Sequence, residues 1–263
     1  MFSILRACST ATLVFSAIFF SQTLSSTSTL AQSVKQSTRP LTETEQVVRD
    51  YILKNPEVII EALQILEDRR EAEQNEQQKL SITRNKDDLE SSVHQTILGN
   101  PEGDVTLIEF FDYNCAFCRE SLQHIEKLVE EDNNLRVVLK EFPVLGPGSQ
   151  AAARVAIAAA KIDSEKYLEL HVKLLKTRGQ ADERVALLLA EGLGYDMSVL
   201  RTMMEKPVIE EAITEVYGLA NVIGLTGTPT FIIGSEVLPG AVGHSILKQK
   251  IDSMRECGET VCS

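Results

Sequence analysis

The polar and apolar positions divide the chain into two regimes. In the first, Val47, Val48, Tyr51 and Ile52 fall on one face at helical spacing, and Ile59, Leu63 and Leu66 repeat the pattern in a second helix. Thr42 and Glu45 stand three apart at the start, which predicts a capping box. Asn55-Pro56 ends the first helix and opens the second, with Asn55 as N-cap and Pro56 in the first turn. From Glu67 to Glu90 the apolar residues thin to Ala72, Leu80, Ile82 and Leu89, so this stretch reads as a stalk, helical or linker-like. Ile52, Ile59 and Leu66 lie seven apart, as in a short self-association seam. A hairpin folded back on the main domain is the other reading, and Glu73 and Asp87 break any sustained coiled coil.

The second regime begins near residue 92. Val105–Phe111 is a nearly continuous apolar strand interrupted by Glu109, and Leu135–Val144 is a second strand. Between them a helix runs from Cys115 to about Glu131, with Leu122, Ile125, Leu128 and Val129 facing inward. Residues 149–222 are almost wholly helical. Thr230–Gly234 and Val237–Gly240 form a strand and its hairpin partner, and a last helix runs from about Gly243 to Met254. This order predicts an α/β (α+β) fold whose mixed sheet is interrupted by a helical insert at about 145–222.

The chain start changes the picture of where this domain works. Met1–Arg6 is short and basic, Ala7–Phe20 is apolar, and a Ser/Thr-rich stretch leads to Thr29-Leu30-Ala31. The pattern predicts a signal peptide over 1–31, removed on export, because the apolar run is shorter than the roughly 20 residues of a spanning helix. Cys8 would leave with it. The expected divisions are then 1–31 signal, 32–91 N-terminal helical segment and 92–263 main domain.

Composition narrows the function classes. The chain has 263 residues, 43% hydrophobic and 24% charged, with a formal charge of −12. No basic stripe is available for a phosphate backbone and Trp is absent, which argues against nucleic-acid binding. Of five cysteines, Cys115, Cys118, Cys257 and Cys262 lie beyond the leader. His94, His124, His171 and His244 are scattered without ligand spacing, so no metal site is expected. Met197, Met203 and Met204 read as core filler.

Cys115-Ala116-Phe117-Cys118 sits where a buried strand gives way to a helix. The unpaired N–H groups and positive dipole end of a first turn stabilise a thiolate, so Cys115, at the exposed edge, is the expected nucleophile. Cys118, one turn inward, is the expected resolving thiol. A zinc reading would need Cys257 and Cys262 as further ligands, at irregular spacing in a C-terminal tail. Those two enclose only four residues. A local structural disulfide, a labile relay and free thiols are the alternatives there.

Phe110-Phe111-Asp112-Tyr113-Asn114-Cys115-Ala116-Phe117-Cys118, with Gly227-Thr228-Pro229-Thr230-Phe231 far downstream, resembles the DsbA family of thioredoxin-fold disulfide oxidoreductases over about residues 92–256. The resemblance implies a cis Pro229 opposite the dithiol, where an unrelated Thr-Pro would be an ordinary trans edge residue. It implies Glu109 as a buried proton acceptor beneath Cys118 and Lys140 as its ion-pair partner on the neighbouring strand; otherwise both would face solvent. Ala116, Phe117 and Thr228 would shape the client-binding lip, and no cofactor is implied.

The segment Tyr51–Leu63 is similar to the leader of ScsC-like and Com1-like members. That similarity implies a homo-oligomer, a dimer or trimer, with periplasmic localisation, disulfide-bearing protein clients and a membrane redox partner. Ala116-Phe117 supplies no imidazole to the Cys115 thiolate, so a less oxidising couple than the family prototype is expected, and with it isomerase or reductase activity. A dithiol oxidase is the rival within the class. Outside it, the rival is a copper-binding or chaperone module, since ScsC-like proteins are linked to copper tolerance and reduced thiolates bind Cu(I).

Overall fold

The computed structural model describes residues 39–262. The leader, its Cys8 and the polar stretch behind it lie outside the described residues.

Among the described residues, those up to Val58 form one compact unit and those from Ile59 onward another. In the first, α1 (Glu43–Lys54) opens with the expected capping box: the Thr42 side chain accepts from the Glu45 N–H while the Glu45 carboxylate accepts from the Thr42 N–H at 2.8 Å. Asn55 departs from expectation. Its side-chain amide turns back to donate to the Tyr51 carbonyl at 2.9 Å, so it closes α1 and does not cap the next helix. Val47, Val48, Tyr51 and Leu53 are exposed on this helix.

Most of α2 (Glu57–Arg84) belongs to the second unit, as one unbroken helix of 28 residues. Ile59, Ile60, Leu63 and Leu66 are exposed along it. Its C-terminal turns are anchored to the domain: Gln78 donates to the Ile223 carbonyl at 3.0 Å, and Ile82 is buried. Leu89, in the short α3 (Lys86–Glu90), is buried beside it in the same apolar cluster. Residues read from sequence as the end of the stalk therefore complete a core.

The sheet has five strands in the order β1-β3-β2-β4-β5, with β1 (Thr96–Gly99), β2 (Val105–Phe111), β3 (Leu135–Glu141), β4 (Thr230–Ile233) and β5 (Glu236–Pro239). β2 is central, parallel to β3 and antiparallel to β4. Both faces of β2 are covered, which is why its sequence is a continuous apolar run. Leu107 and Phe111 face one core with Val137 and Leu139, while Ile108 and Phe110 face a second with Val138 and Phe142. β1 has no signature in the pattern, being four residues long and half-buried on the sheet edge. β3 stops at Glu141, short of the expected Val144, because Pro143 has no N–H for the ladder.

Between β2 and β3 lies α4 (Ala116–Glu131). The insert comprises α5 (Pro147–Ile162), α6 (Ser164–Leu175), α7 (Glu183–Gly192), α8 (Met197–Met204) and α9 (Pro207–Ile223). Gly224 ends α9 at φ 79°, a left-handed conformation suited to glycine, and turns the chain toward β4. α10 (His244–Cys257) completes the fold against α4. Met197, Met203 and Met204 pack against the main core as expected. Among the described residues, no helix is long and apolar enough to cross a membrane.

Candidate functional site

Strand β2 delivers the chain to Asp112-Tyr113-Asn114, and a tight bond from the Cys115 N–H to the Asp112 carbonyl (3.0 Å) turns it into α4. The buried Asp112 carboxylate fixes this corner, accepting from the N–H of Asn114 at 2.8 Å and of Leu145 at 2.9 Å. Asn114 ties the same loop to the insert, donating to Ala181 O at 2.9 Å and accepting from the Ala181 N–H at 2.7 Å. Cys115 thus becomes the N-cap residue of α4, with extended backbone, and Cys118 lies in the first turn.

The two thiols are free in this state. Cys115 is less open than expected, only 6% exposed, and Cys118 is 0% exposed. Phe117 supplies the exposed lip, at 60%. The Thr228–Pro229 peptide bond is cis, as the resemblance implied, and the Cys115 thiol donates to the Thr228 carbonyl at 3.0 Å.

Electrostatics separate the two sulfurs. Cys115 is lowered from an ordinary value near 9 to about 5, first by a hydrogen bond from the Cys118 thiol, then by the Thr228 side chain and the N–H groups of Cys118 and Phe117. Burial opposes this without reversing it. Cys118 moves strongly upward because its hydrogen bond to Cys115 and its burial both favour the protonated form. Each donor to Cys115 stabilises the thiolate in the way a helix N-terminus does. The outer sulfur is therefore the one favoured as a thiolate, and the inner one is kept protonated.

Glu109 is buried at 3% exposure, and burial, with the negative charge at Cys115 as a smaller cause, raises its carboxyl to about 8. Its charge in turn raises Cys118, so acid and inner thiol are electrostatically linked.

Lys140 is buried but does not pair with Glu109. In the parallel ladder Glu109 stands opposite Leu139, and Lys140 opposite Phe110. Side chains alternate along a strand, so Lys140 projects from the other face of the sheet. There its ammonium donates to the Asp88 carbonyl at 2.7 Å and pairs with Glu215 at 3.5 Å. Burial lowers it to about 8 against the charge of Glu215.

The residue that shares the Glu109 face is Glu141, opposite Phe111. Its carboxyl is buried and accepts from the Tyr113 hydroxyl at 2.7 Å and the Tyr167 hydroxyl at 3.1 Å. Burial raises it to about 8, against those two hydrogen bonds. His171 completes the cluster, edge-on to Phe111 and 3.4 Å from the Tyr113 hydroxyl, with burial lowering its ring to about 3. The sequence signal for Glu141 was parity: it lies two positions after a strand residue paired with Glu109.

Cys257 and Cys262 are joined in a disulfide, resolving those alternatives toward the local bridge. Among the described residues no group of three or more His, Cys, Asp or Glu side chains is placed to hold a metal.

The family model of the DSBA-like thioredoxin domain matches residues 106–252, and that of the copper resistance protein ScsC N-terminal domain matches 42–73. A thioredoxin-like oxidoreductase from Silicibacter pomeroyi DSS-3 is 40% identical with a TM-score of 0.63, covering 66% of this chain and 99% of its own. ScsC of Proteus mirabilis in a compact conformation is 25% identical with a TM-score of 0.57, covering 77% and 100%. A curated relative, the Na(+)/H(+) antiporter NhaA 1 of Salinispora arenicola, is 27% identical over 60% of this chain, which spans only 24% of that protein's length. The chain belongs to the DsbA-like thioredoxin family of thiol–disulfide oxidoreductases, with a ScsC-type N-terminal domain ahead of the thioredoxin domain.

Proposed function

We propose that this protein is an exported, periplasmic thiol–disulfide oxidoreductase that works on misoxidised proteins as an isomerase or reductase. The observation that carries the thiol–disulfide exchange is the split between its thiols, Cys115 lowered to about 5 and Cys118 raised and fully buried. The Cys115 thiolate attacks one sulfur of a client disulfide; that S–S bond breaks and the other client sulfur leaves as thiolate. In isomerisation a second client thiolate attacks the mixed disulfide and expels Cys115, with no net redox change. In reduction Cys118 attacks instead, giving its proton to the Glu109 carboxylate, so the client leaves reduced and the dithiol is oxidised. A membrane reductase then restores the dithiol.

Thr228 and Phe117 border the reacting sulfur, the first through its carbonyl and the second as an exposed ring. Among the described residues, the N–H groups of Thr226, Gly227 and Thr228 have no backbone partner, so an extended client can pair there.

Self-association belongs to the same proposal. Val48 and Tyr51 on α1, and Ile59, Leu63 and Leu66 on α2, leave large apolar side chains in water. Joining protomers through them would place several dithiols around one client. The test is refolding of scrambled ribonuclease by the full chain, by Cys115→Ser and by Val48→Asp/Leu63→Asp, with mass measured by light scattering. Activity absent in the first variant, and lost with the oligomer in the second, supports an oligomeric isomerase. A monomeric wild type, or a double variant as active as wild type, removes the oligomer from the account.

A second reading, dithiol oxidase, is favoured by one observation. A thiolate stabilised to a value near 5 also favours the reduced dithiol, which makes the disulfide a better oxidant. Rapid oxidation of reduced ribonuclease without isomerisation of the scrambled form would select it.

A further inference from the structure

Thr228 and Pro229 line more than the edge of the dithiol. They form one side of a cleft of about 470 Å³ that runs along the loop from Gly224 to Thr230 and reaches Pro239 and Gly240. Its opposite side is Glu71, Asn75 and Gln78 of α2. These residues stand four and three apart, so they occupy one helical face.

The wall is fixed in place. Gln78 is bonded to the Ile223 carbonyl, and Ile82 one turn beyond is buried in the second core. The direction of the helix follows from its neighbours. Asn75, Gln78 and Lys79 also border the hollow at Ser235, Glu236 and Val237, whereas Glu71 lines the cleft that reaches Gly240 and not that hollow. The Gly240 N–H donates to Pro229 O at 2.8 Å, so the cleft that Glu71 lines reaches the loop beside the dithiol. From Glu71 to Gln78 the helix rises about 10 Å, which is the length of about three residues of extended chain.

The lining is also asymmetric in charge. The loop and hairpin contribute Gly, Leu, Thr, Pro and Val, leaving Glu71 as the one ionisable side chain that lines the cleft among the described residues. Arg70 and Lys79 border the two flanking hollows instead.

We propose that the Glu71–Asn75–Gln78 face of α2 is the second wall of the client groove, and that Glu71 favours clients with a basic side chain within three residues of the attacked cysteine. The inference rests on the oxidoreductase reading and names the substrate class of that same site. The occupant is an extended client segment. Its backbone meets the unpaired N–H groups of residues 226–228, its side chains meet the Asn75 and Gln78 amides, and its cationic group lies toward Glu71. The N-terminal helices then recognise clients as well as carrying the domain.

The experiment uses glutathionylated peptides with lysine or glutamate within three residues of the cysteine, on either side, and hydroxyethyl disulfide as a small neutral control. For the wild type at low salt, kcat/KM for the lysine peptides is expected to exceed that for the glutamate peptides about two- to five-fold, the size of an exposed ion pair, and the preference should fade at 0.5 M salt. Glu71→Gln should bring the ratio near one and Glu71→Lys should invert it, with the rate on hydroxyethyl disulfide unchanged. The same lysine preference in wild type and Glu71→Lys, or no preference in wild type, overturns the inference while leaving the oxidoreductase reading intact. No exchange with hydroxyethyl disulfide overturns both.

Discussion

The Tyr113 hydroxyl donates to Oε1 of Glu141 at 2.7 Å, and through that bond the last residue of β3 grips the segment two positions ahead of Cys115. Tyr167 donates to the same oxygen at 3.1 Å, so one buried carboxyl holds two phenols from different elements. Cutting it back to an apolar residue would leave the Tyr167 hydroxyl buried without its acceptor and Tyr113 with only the longer contact to His171, at about 1–3 kcal/mol for each group. Glu141→Leu is therefore expected to destabilise the reduced protein by about 2–4 kcal/mol, and Glu141→Gln, which keeps an acceptor oxygen, by about 1 kcal/mol. Chemical denaturation at pH 6 checks both values.

The same residue makes stability depend on pH. Its folded-state pKa is about 8 against an ordinary value of 4.5, so between these pH values the folded chain keeps a proton that the unfolded chain has lost. The contribution of Glu141 is fully present below about 4.5 and is lost as pH rises through 8. His171, lowered to about 3, and Cys115, lowered to about 5, have slopes of opposite sign, so the difference between proteins is the informative quantity. The wild type should lose stability relative to Glu141→Gln by about 1.4 kcal/mol per pH unit inside that window. Parallel curves would contradict the assignment.

Glu109 predicts a kinetic effect. With its carboxyl near 8, only a minority is ionised at neutral pH, and that minority can accept the Cys118 proton. Resolution of the mixed disulfide by Cys118 should accelerate as pH rises toward 8. Glu109→Gln should slow it about 10–100-fold and flatten the profile, a modest general-base contribution. Stopped-flow release of a fluorescent client thiol measures this. Attack by Cys115 should be affected less, since its thiolate is held by Cys118, Thr228 and the first-turn N–H groups.

Lys140 gives a contrasting prediction. Its partners are the Asp88 carbonyl and Glu215, on the face of the sheet away from the thiols. Lys140→Met should leave Glu215 and the Asp88 carbonyl without their buried partner and cost about 3–5 kcal/mol of stability. The reactivity of Cys115 toward a small alkylating agent, followed against pH, should keep its midpoint.

These contrasts show what was legible in the sequence. The dithiol, the helix start behind it, the Thr42 capping box and the buried Glu109 are local patterns, and each is present in the fold. The Glu109–Lys140 pair was not legible from adjacency, because register decides the face: Leu139 opposes Glu109, which sends Lys140 to one side and Glu141 to the other. β1 is too short and too exposed to show a period. Ile82 and Leu89 looked like sparse stalk residues because their partners, among them Val216 and Ile223, are far along the chain. Tyr167 and His171 reach the site from the insert, where helical spacing marks them only as inward-facing.

The central claim is that Cys115 alone attacks clients and Cys118 resolves. Its most direct test is the covalent complex formed when Cys118→Ser is mixed with scrambled ribonuclease, digested and mapped by mass spectrometry. The account predicts ribonuclease cysteines joined to Cys115 and to no other cysteine of the chain, the Thr228 side chain and the first-turn N–H groups still favouring its thiolate. No adduct, or adducts through Cys257 or Cys262, would contradict it.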